Sequence, residues 1–199
     1  MQVWKMAACC LLGVGSLVAT AQMKNPLPDG PPAGTVATPS AALDSQLSLI
    51  ELEMMGAVNA MPADKFGFAP SAAIFVPAQK TEFPTVRTFA QQATHVAEAN
   101  YYFASLISGA KPDVDTKALE KLTAKDEVVA ALAASFAFSH KAVATLTPEN
   151  AWVVIKSPEP GFATHATMAA FLVAHANDHY GQMVEYLRMN AIVPPASAR

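Results

Sequence analysis

The sequence predicts an all-α protein, a four-helix bundle with long connections, and three observations carry that expectation. Apolar residues recur at steps of three and four in four separate stretches of roughly 20 to 25 residues, the period and length of bundle helices. No stretch alternates apolar and polar residues well enough to make a confident strand. Proline- and glycine-bearing segments that stop helices lie between the four stretches. Hydrophobic residues make up 52% of the 199, ample for the core of one domain.

The chain opens with a segment outside that bundle. Lys5 supplies a positive start, Met6 to Val18 is an uncharged, mostly apolar run, and Ala19-Thr20-Ala21 fits the small-x-small cleavage pattern. Residues 1–21 are therefore expected to be a signal peptide, and the mature protein to be exported, either periplasmic or extracellular. The run is short for a membrane-spanning helix, which needs about 20 residues. An uncleaved anchor is thus the weaker reading, and no stable membrane span is expected after cleavage. Lipid attachment at Cys9 is weaker again, because almost no apolar run precedes it. Cleavage after Ala21 removes Cys9 and Cys10, the chain's two cysteines. The mature protein then forms no disulfide, and any metal site must use His, carboxylate or amide groups.

Residues 22–40, with Pro26, Pro28, Pro31, Pro32 and Pro39, read as a Pro-rich disordered linker, and residues 41–197 as the bundle domain. The first helix is expected from about Ala41 to Ala60, with Leu43, Leu47, Ile50, Met54 and Ala57 on its stripe and Pro62 beyond its end. The connection that follows is apolar for a loop (Phe66, Phe68, Ile74, Phe75, Val76), so it is expected to pack across the bundle.

The second helix is expected after Pro84, with Thr85 as N-cap and Gly109 as the C-cap glycine. Its seam reads Thr88, Gln92, His95, Ala99, Tyr102, Leu106. Lys111 to Leu122 reads as a loop. The third helix starts at Thr123-Ala-Lys-Asp126, a capping-box-like signal, and carries Val129, Leu132, Phe136, His140 and Val143. Glu149 to Thr164 reads as a loop. The fourth helix runs from about His165 to Met189, with Asn190 as a left-handed C-cap and Pro194-Pro195 preventing continuation. Long connections after the first three helices allow crossovers instead of simple up-down order.

Only 15% of residues are charged, the net charge is −3 and no Lys/Arg cluster stands out. That composition excludes a disordered acidic chain and gives no electrostatic case for a nucleic-acid partner. The partners expected are a small-molecule substrate and a second copy in a homodimer.

The chemistry-bearing feature is a histidine pattern. Met168, Leu172, His175, His179, Gln182 and Tyr186 follow one another at steps of four, three, four, three and four. His175 and His179 therefore share a helix face with apolar residues and point into the bundle. Buried imidazoles need partners. His95 occupies a comparable seam position about ten residues into the second helix, so all three lie near mid-bundle height. Three neutral nitrogens can hold one divalent metal with a coordination position left open, the mark of a reactive site. Zn, Ni and Fe suit such a ligand set comparably.

Around this trio, Gln182 is a candidate for holding a metal-bound water or a substrate polar group. Glu98 and Asp178 each sit one turn after a histidine and are candidate acceptors for a ligand N–H. Plain buried-amide and solvated-carboxylate roles are the competing readings for these residues. His140 is expected to be structural and His165 to face water. Tyr102 and Tyr186 are read as core aromatics that a pocket could also use. Gly181, inside the fourth helix, costs about 1 kcal/mol against alanine, which points to close packing, to ligand access or simply to a tolerated small residue.

His175-x-x-x-His179-Tyr-Gly-Gln182, with Tyr186-Leu-Arg188 and Ile192-Val-Pro-Pro195 after it, resembles the DinB/YfiT-like family. Thr88-Phe-Ala-Gln-Gln-Ala-Thr-His95-Val-Ala adds to the resemblance, as does Met61-Pro-Ala-Asp-Lys-Phe-Gly-Phe68-Ala-Pro70. The likeness implies a four-helix bundle whose helix order is not simple up-down, and a metal held by His95, His175 and His179. It implies a divalent-metal-dependent enzyme that activates water, as a hydrolase does, or a thiol, as some relatives of this family do. An export signal disfavours the thiol, whose small-molecule pools are mainly cytoplasmic. The alternative from another class is a non-catalytic exported bundle that binds a metal or small ligand.

Overall fold

The structure, a computed structural model, describes residues 27–71, 84–156 and 163–198. The expected leader lies outside these residues, as do Ile74, Phe75 and Val76 of the first connection. Four helices form the bundle: α1 (Pro39–Ala60), α2 (Phe89–Ser108), α3 (Lys125–Val143) and α4 (His165–Met189). Residues 28–38 carry no helix or strand and are exposed. α1 begins at Pro39, inside the segment read as linker, because Thr38 caps it and proline suits a first helical position.

α1 packs on α3 and α4, and α2 packs on the same two helices. The order around the bundle is therefore α1, α3, α2, α4. Helices consecutive in sequence, α1 with α2 and α3 with α4, face each other across a diagonal. This is the crossover arrangement that long connections permit. The core holds Leu47, Ile50 and Met54 from α1, Phe136 and Leu132 from α3, and Met168, Leu172 and Met183 from α4. α2 contributes Phe89, Val96 and Ile107 together with a row of alanines (Ala90, Ala93, Ala97, Ala104), whose small side chains let its neighbours approach closely.

The first connection does cross the bundle where it is described. Phe66 is fully buried and meets Phe89 edge-on, with ring centroids 5.4 Å apart. The carbonyls of Phe68 and Phe66 accept from the Phe89 and Ala90 N–H groups at 2.8 and 2.9 Å, satisfying donors that a helix start leaves free.

Several helix ends differ from expectation. The N-cap of α2 is Thr88 and not Thr85, whose φ of +62° is left-handed. Thr88 forms a complete capping box with Gln91, which Thr85 cannot do from that backbone. α3 starts at Lys125 after Ala124, with no side-chain cap, so the box suggested by Thr123 and Asp126 does not form. Asn190 has φ −98°, and Ala191 takes the left-handed position at φ +59°. The Asn190 amide donates instead to the Tyr186 carbonyl at 2.8 Å. Within the segment read as a loop, Thr116–Lys121 is a 3-10 helix packed on α2. Val154–Ile155 and Ala163–Thr164 make a two-residue antiparallel pairing just before α4. Among the described residues, no helix is long and apolar enough to cross a membrane.

Candidate metal centre

Local sequence sets the phase of the two helices that carry the histidines. In α2 the Thr88 hydroxyl accepts from the Gln91 N–H at 3.2 Å, while the Gln91 side-chain oxygen accepts from the Thr88 N–H at 2.9 Å. In α4, Thr164 and Thr167 form the equivalent reciprocal pair at 3.2 and 2.7 Å. With both helix starts fixed, Gln92 and His95 of α2 face His175, His179 and Gln182 of α4.

His175 and Gln182 lie at the α2-facing margin of the α4 stripe and not at its centre. Ala176 and Met183, one residue on from each, are completely buried. The seam read from the sequence is thus rotated toward α2, and the reason is that α4 divides its buried surface between α1 and α2. His179 is 6% exposed, His95 and His175 are half-buried, and Gln182 is exposed.

The three imidazoles converge. Ring centroids are 5.2 Å apart for His95 and His175, 4.8 Å for His95 and His179, and 4.6 Å for His175 and His179. One nitrogen from each ring can be chosen so that all three lie within 4.8 Å of one another. Nitrogens around a tetrahedral zinc, at bonds of 2.0–2.1 Å, stand roughly 3.3 Å apart, so small ring rotations close the set. Electrostatics agree with that use. Burial is the largest influence on His95 and lowers its pKa to about 4, helped by the positive charge of Arg87 and by His175 and opposed by Glu120. Burial likewise takes His179 to about 4, with His175 and His95 adding to the effect and Asp178 opposing it. Both rings are neutral at pH 7, with lone pairs available to a cation. The donor set is three imidazole nitrogens with no thiolate, which fits a borderline divalent ion.

His179 is oriented by a residue the sequence did not mark as its partner. Its Nδ1 lies 2.7 Å from the Gln92 side-chain oxygen, and Gln92 is buried. Gln92 in turn donates to the Gln182 oxygen at 2.8 Å, and Gln182 donates to Asp178 at 3.1 Å. Gln182 and Asp178 therefore reach His179 through Gln92. No helix-period signal could reveal a contact made 87 residues away by the packing of two helices.

A cavity of about 720 Å³ opens beside His95 and His175. Tyr102 and Phe171, both partly exposed, line it, together with Phe103, Glu98 and Lys117. The Phe103 ring meets Phe171 and His175 edge-on, with centroids 5.2 and 5.4 Å away. Burial raises the Glu98 pKa, and the charge and hydrogen bond of Glu120 raise it further, against Lys117 and Arg87. A second, polar cavity of about 340 Å³ reaches His95 from its other side, between Arg87, Gln91 and Glu120. Glu120 and Lys117 come from the 3-10 helix that sequence periodicity did not separate from loop.

The remaining marked residues are structural. The Tyr186 hydroxyl donates to the Arg87 carbonyl at 3.0 Å, and its ring packs edge-on against Phe68. His140 bridges α3 to α1. His165 is not water-facing as expected. It is half-buried, and its Nδ1 lies 2.6 Å from the Ile107 carbonyl in the last turn of α2, an acceptor that turn leaves free. A Cβ added at Gly181 meets nothing within 4 Å, so neither close packing nor a neighbouring group accounts for that glycine.

A family model described as the DinB superfamily matches residues 46–183, a span that contains all three histidines, Gln92, Glu98 and Gln182. The fold is similar to that of a DinB-like protein from Bacillus cereus ATCC 10987, with a TM-score of 0.62 and 14% sequence identity. That likeness covers 78% of this chain and 95% of the other. No curated protein matches the chain.

Proposed function

The chain belongs to the DinB superfamily, and from that premise we propose that it is a divalent-metal-dependent enzyme acting on a small molecule at the His95, His175 and His179 cluster. The observation that carries the reading is the convergence of three imidazole nitrogens within 4.8 Å at the wall of a cavity of about 720 Å³. A structural metal site is closed by its protein ligands, whereas three ligands beside a cavity leave a position for a reactant.

A divalent ion held there would supply Lewis acidity, lowering the pKa of bound water towards 7. The protein's own groups do the rest. Three uncharged ligands leave the ion's positive charge uncompensated by the protein, which favours an anionic nucleophile. Tyr102, Phe103 and Phe171 give the cavity an apolar wall that takes the body of a substrate and keeps water from it. Glu98, its pKa raised by burial and Glu120, exchanges a proton nearer neutral pH than an ordinary carboxylate does. It is the general acid–base candidate on that wall. Gln182 is a positioning residue in this reading.

We also propose that the apolar run Met6 to Val18 and the Ala19-Thr20-Ala21 site direct export. Water then serves as nucleophile in preference to a thiol, and the reaction is a hydrolysis. The test is elemental analysis of the untagged protein and of a His95/His175/His179 triple alanine variant. A screen of ester, amide and phosphoester substrates with Zn, Ni, Mn and Fe accompanies it. About one metal per chain, lost in the triple variant, is expected from a three-ligand site. Turnover insensitive to His175→Ala overturns the enzyme reading, and tight metal retention without turnover assigns the protein as a binder instead.

A further inference from the structure

We propose that Asp178, on the surface of α4, fixes the proton on Nδ1 of His179 by way of Gln182 and Gln92, and so keeps the Nε2 lone pair of that ring free for the cation. The metal half of this statement rests on the three-histidine reading above, while the proton placement stands without it.

The hydrogen bonds form one directed chain. Asp178 and Gln182 are one turn apart on α4, and the Gln182 amide nitrogen lies 3.1 Å from the Asp178 carboxylate. The chain then leaves α4, with the Gln92 amide nitrogen of α2 2.8 Å from the Gln182 oxygen. It returns to α4 where the Gln92 oxygen lies 2.7 Å from His179 Nδ1.

An ionised carboxylate only accepts hydrogen bonds. It therefore selects the nitrogen end of the Gln182 amide and leaves the oxygen facing Gln92. That oxygen selects the Gln92 nitrogen, and the Gln92 oxygen is left facing the imidazole. A carbonyl oxygen has no proton to give, so Nδ1 must carry one. In a neutral ring the second nitrogen, Nε2, is then the lone-pair donor.

Reversing the chain has a definite cost. It sets the Gln182 oxygen against the Asp178 carboxylate, oxygen to oxygen. At the other end the Gln92 amide donates to Nδ1, which moves the ring proton to Nε2 and blocks that nitrogen. Two amides can relay either polarity, and the exposed carboxylate decides between them. His179 is buried, and Asp178 is the charged group in this run of hydrogen bonds, so the polarity of the two amides follows from it.

The experiment is two-bond ¹H–¹⁵N correlation of the imidazoles in the full, untagged, metal-free protein at pH 8, with a parallel zinc titration. Signals are assigned from single histidine variants, and melting curves verify that each variant is folded. Wild-type His179 is expected as the Nδ1–H tautomer. Asp178→Lys places a donor-only group at the head of the chain and is expected to move His179 towards Nε2–H, with zinc affinity falling about tenfold, as for loss of an outer-shell partner. Adding Gln182→Glu to that variant restores an acceptor one link nearer, and the Nδ1–H tautomer is expected to return.

An unchanged His179 tautomer in Asp178→Lys overturns the proposal, whatever happens to zinc binding. A tautomer that follows the substitutions in a protein that binds no zinc upholds the relay and overturns the metal reading separately.

Discussion

His140 Nδ1 lies 2.6 Å from Asp44 Oδ1, and its Nε2 lies 3.0 Å from Glu51 Oε2. A ring that meets a carboxylate at each nitrogen must donate from both, so it is an imidazolium. Burial is the largest single influence and pushes its pKa down, but the hydrogen bonds and charges of Asp44 and Glu51 together hold it above the usual value. A folded-state pKa above the unfolded one gives stability that is complete below about pH 6.5 and is lost as pH rises through the folded value. His140→Gln is therefore expected to cost most at pH 5.5 and progressively less towards pH 9. All three groups are partly exposed, so screening keeps the effect to about 1 kcal/mol or less. Urea unfolding of both proteins across that range measures it. A gap that widens with pH refutes the ion-pair account.

His95 and His179 carry the opposite sign. Their pKa values fall to about 4, so the unfolded chain binds more protons between there and about pH 6.5. Metal-free protein should lose stability as pH drops through that window, and a His95→Phe/His179→Phe variant should lose less over the same interval. Thermal melts at pH 7 and pH 5 give the comparison.

A ligand held only by the folded state stabilises it by RT ln(1 + [L]/Kd), about 2.7 kcal/mol when the free ion is at 100 times Kd. At about 2–4 °C per kcal/mol for a chain of this size, zinc at that excess should raise the melting temperature by roughly 5–11 °C. A chelator should reverse the rise, and the triple histidine variant should show none. A zinc-induced rise that survives in that variant places the ion elsewhere.

Gly181 sits in an ordinary helical turn with open space where a Cβ would go. Gly181→Ala is expected to stabilise α4 by about 0.4–1 kcal/mol, because alanine loses less backbone freedom on folding. Metal content should stay unchanged. A destabilised variant would show that this turn of α4 cannot take the added methyl.

How much of this was legible follows the range of each interaction. α4 could be read from His165 to Met189 because its stripe and the prolines after it are local. The start of α2 slipped by three residues because Thr85 and Thr88 both precede an apolar run, and only the second has a glutamine three residues on. The His175 and His179 pair was legible because i, i+4 spacing survives any packing angle, and His95 was legible from its own seam position and from the family resemblance. Gln92 was visible as a seam residue, but its bond to His179 depends on how α2 is rotated against α4, which periodicity does not fix. Glu120 and Lys117 were hidden for a different reason. Six residues of 3-10 helix are too few to show a period, and their approach to the site is set by the fold of the α2–α3 connection.

The start of α3 illustrates the same limit and yields a last prediction. Lys125 is its first residue, where a cation opposes the helix dipole and no side chain caps the turn. Its ammonium nonetheless donates to the carbonyls of Asn59 and Met61, both at 2.8 Å, and stands 5.9 Å from the centre of the Phe66 ring. Asn59 and Met61 flank the C-terminal end of α1, where carbonyls lack helical partners and a positive charge is favoured. One side chain thus closes α1 while opening α3, and fixes the first connection beside the start of α2. Hydrogen bonds from a charged donor contribute about 1.5–3 kcal/mol, so Lys125→Met, which keeps the aliphatic stem, is expected to destabilise the bundle by roughly 1–3 kcal/mol. The loss should leave the zinc-induced stabilisation intact, since Lys125 touches neither the histidines nor their glutamine partners. Urea unfolding with and without zinc separates the two effects, and an unchanged midpoint for Lys125→Met would mean that water satisfies those carbonyls as well as the ammonium does.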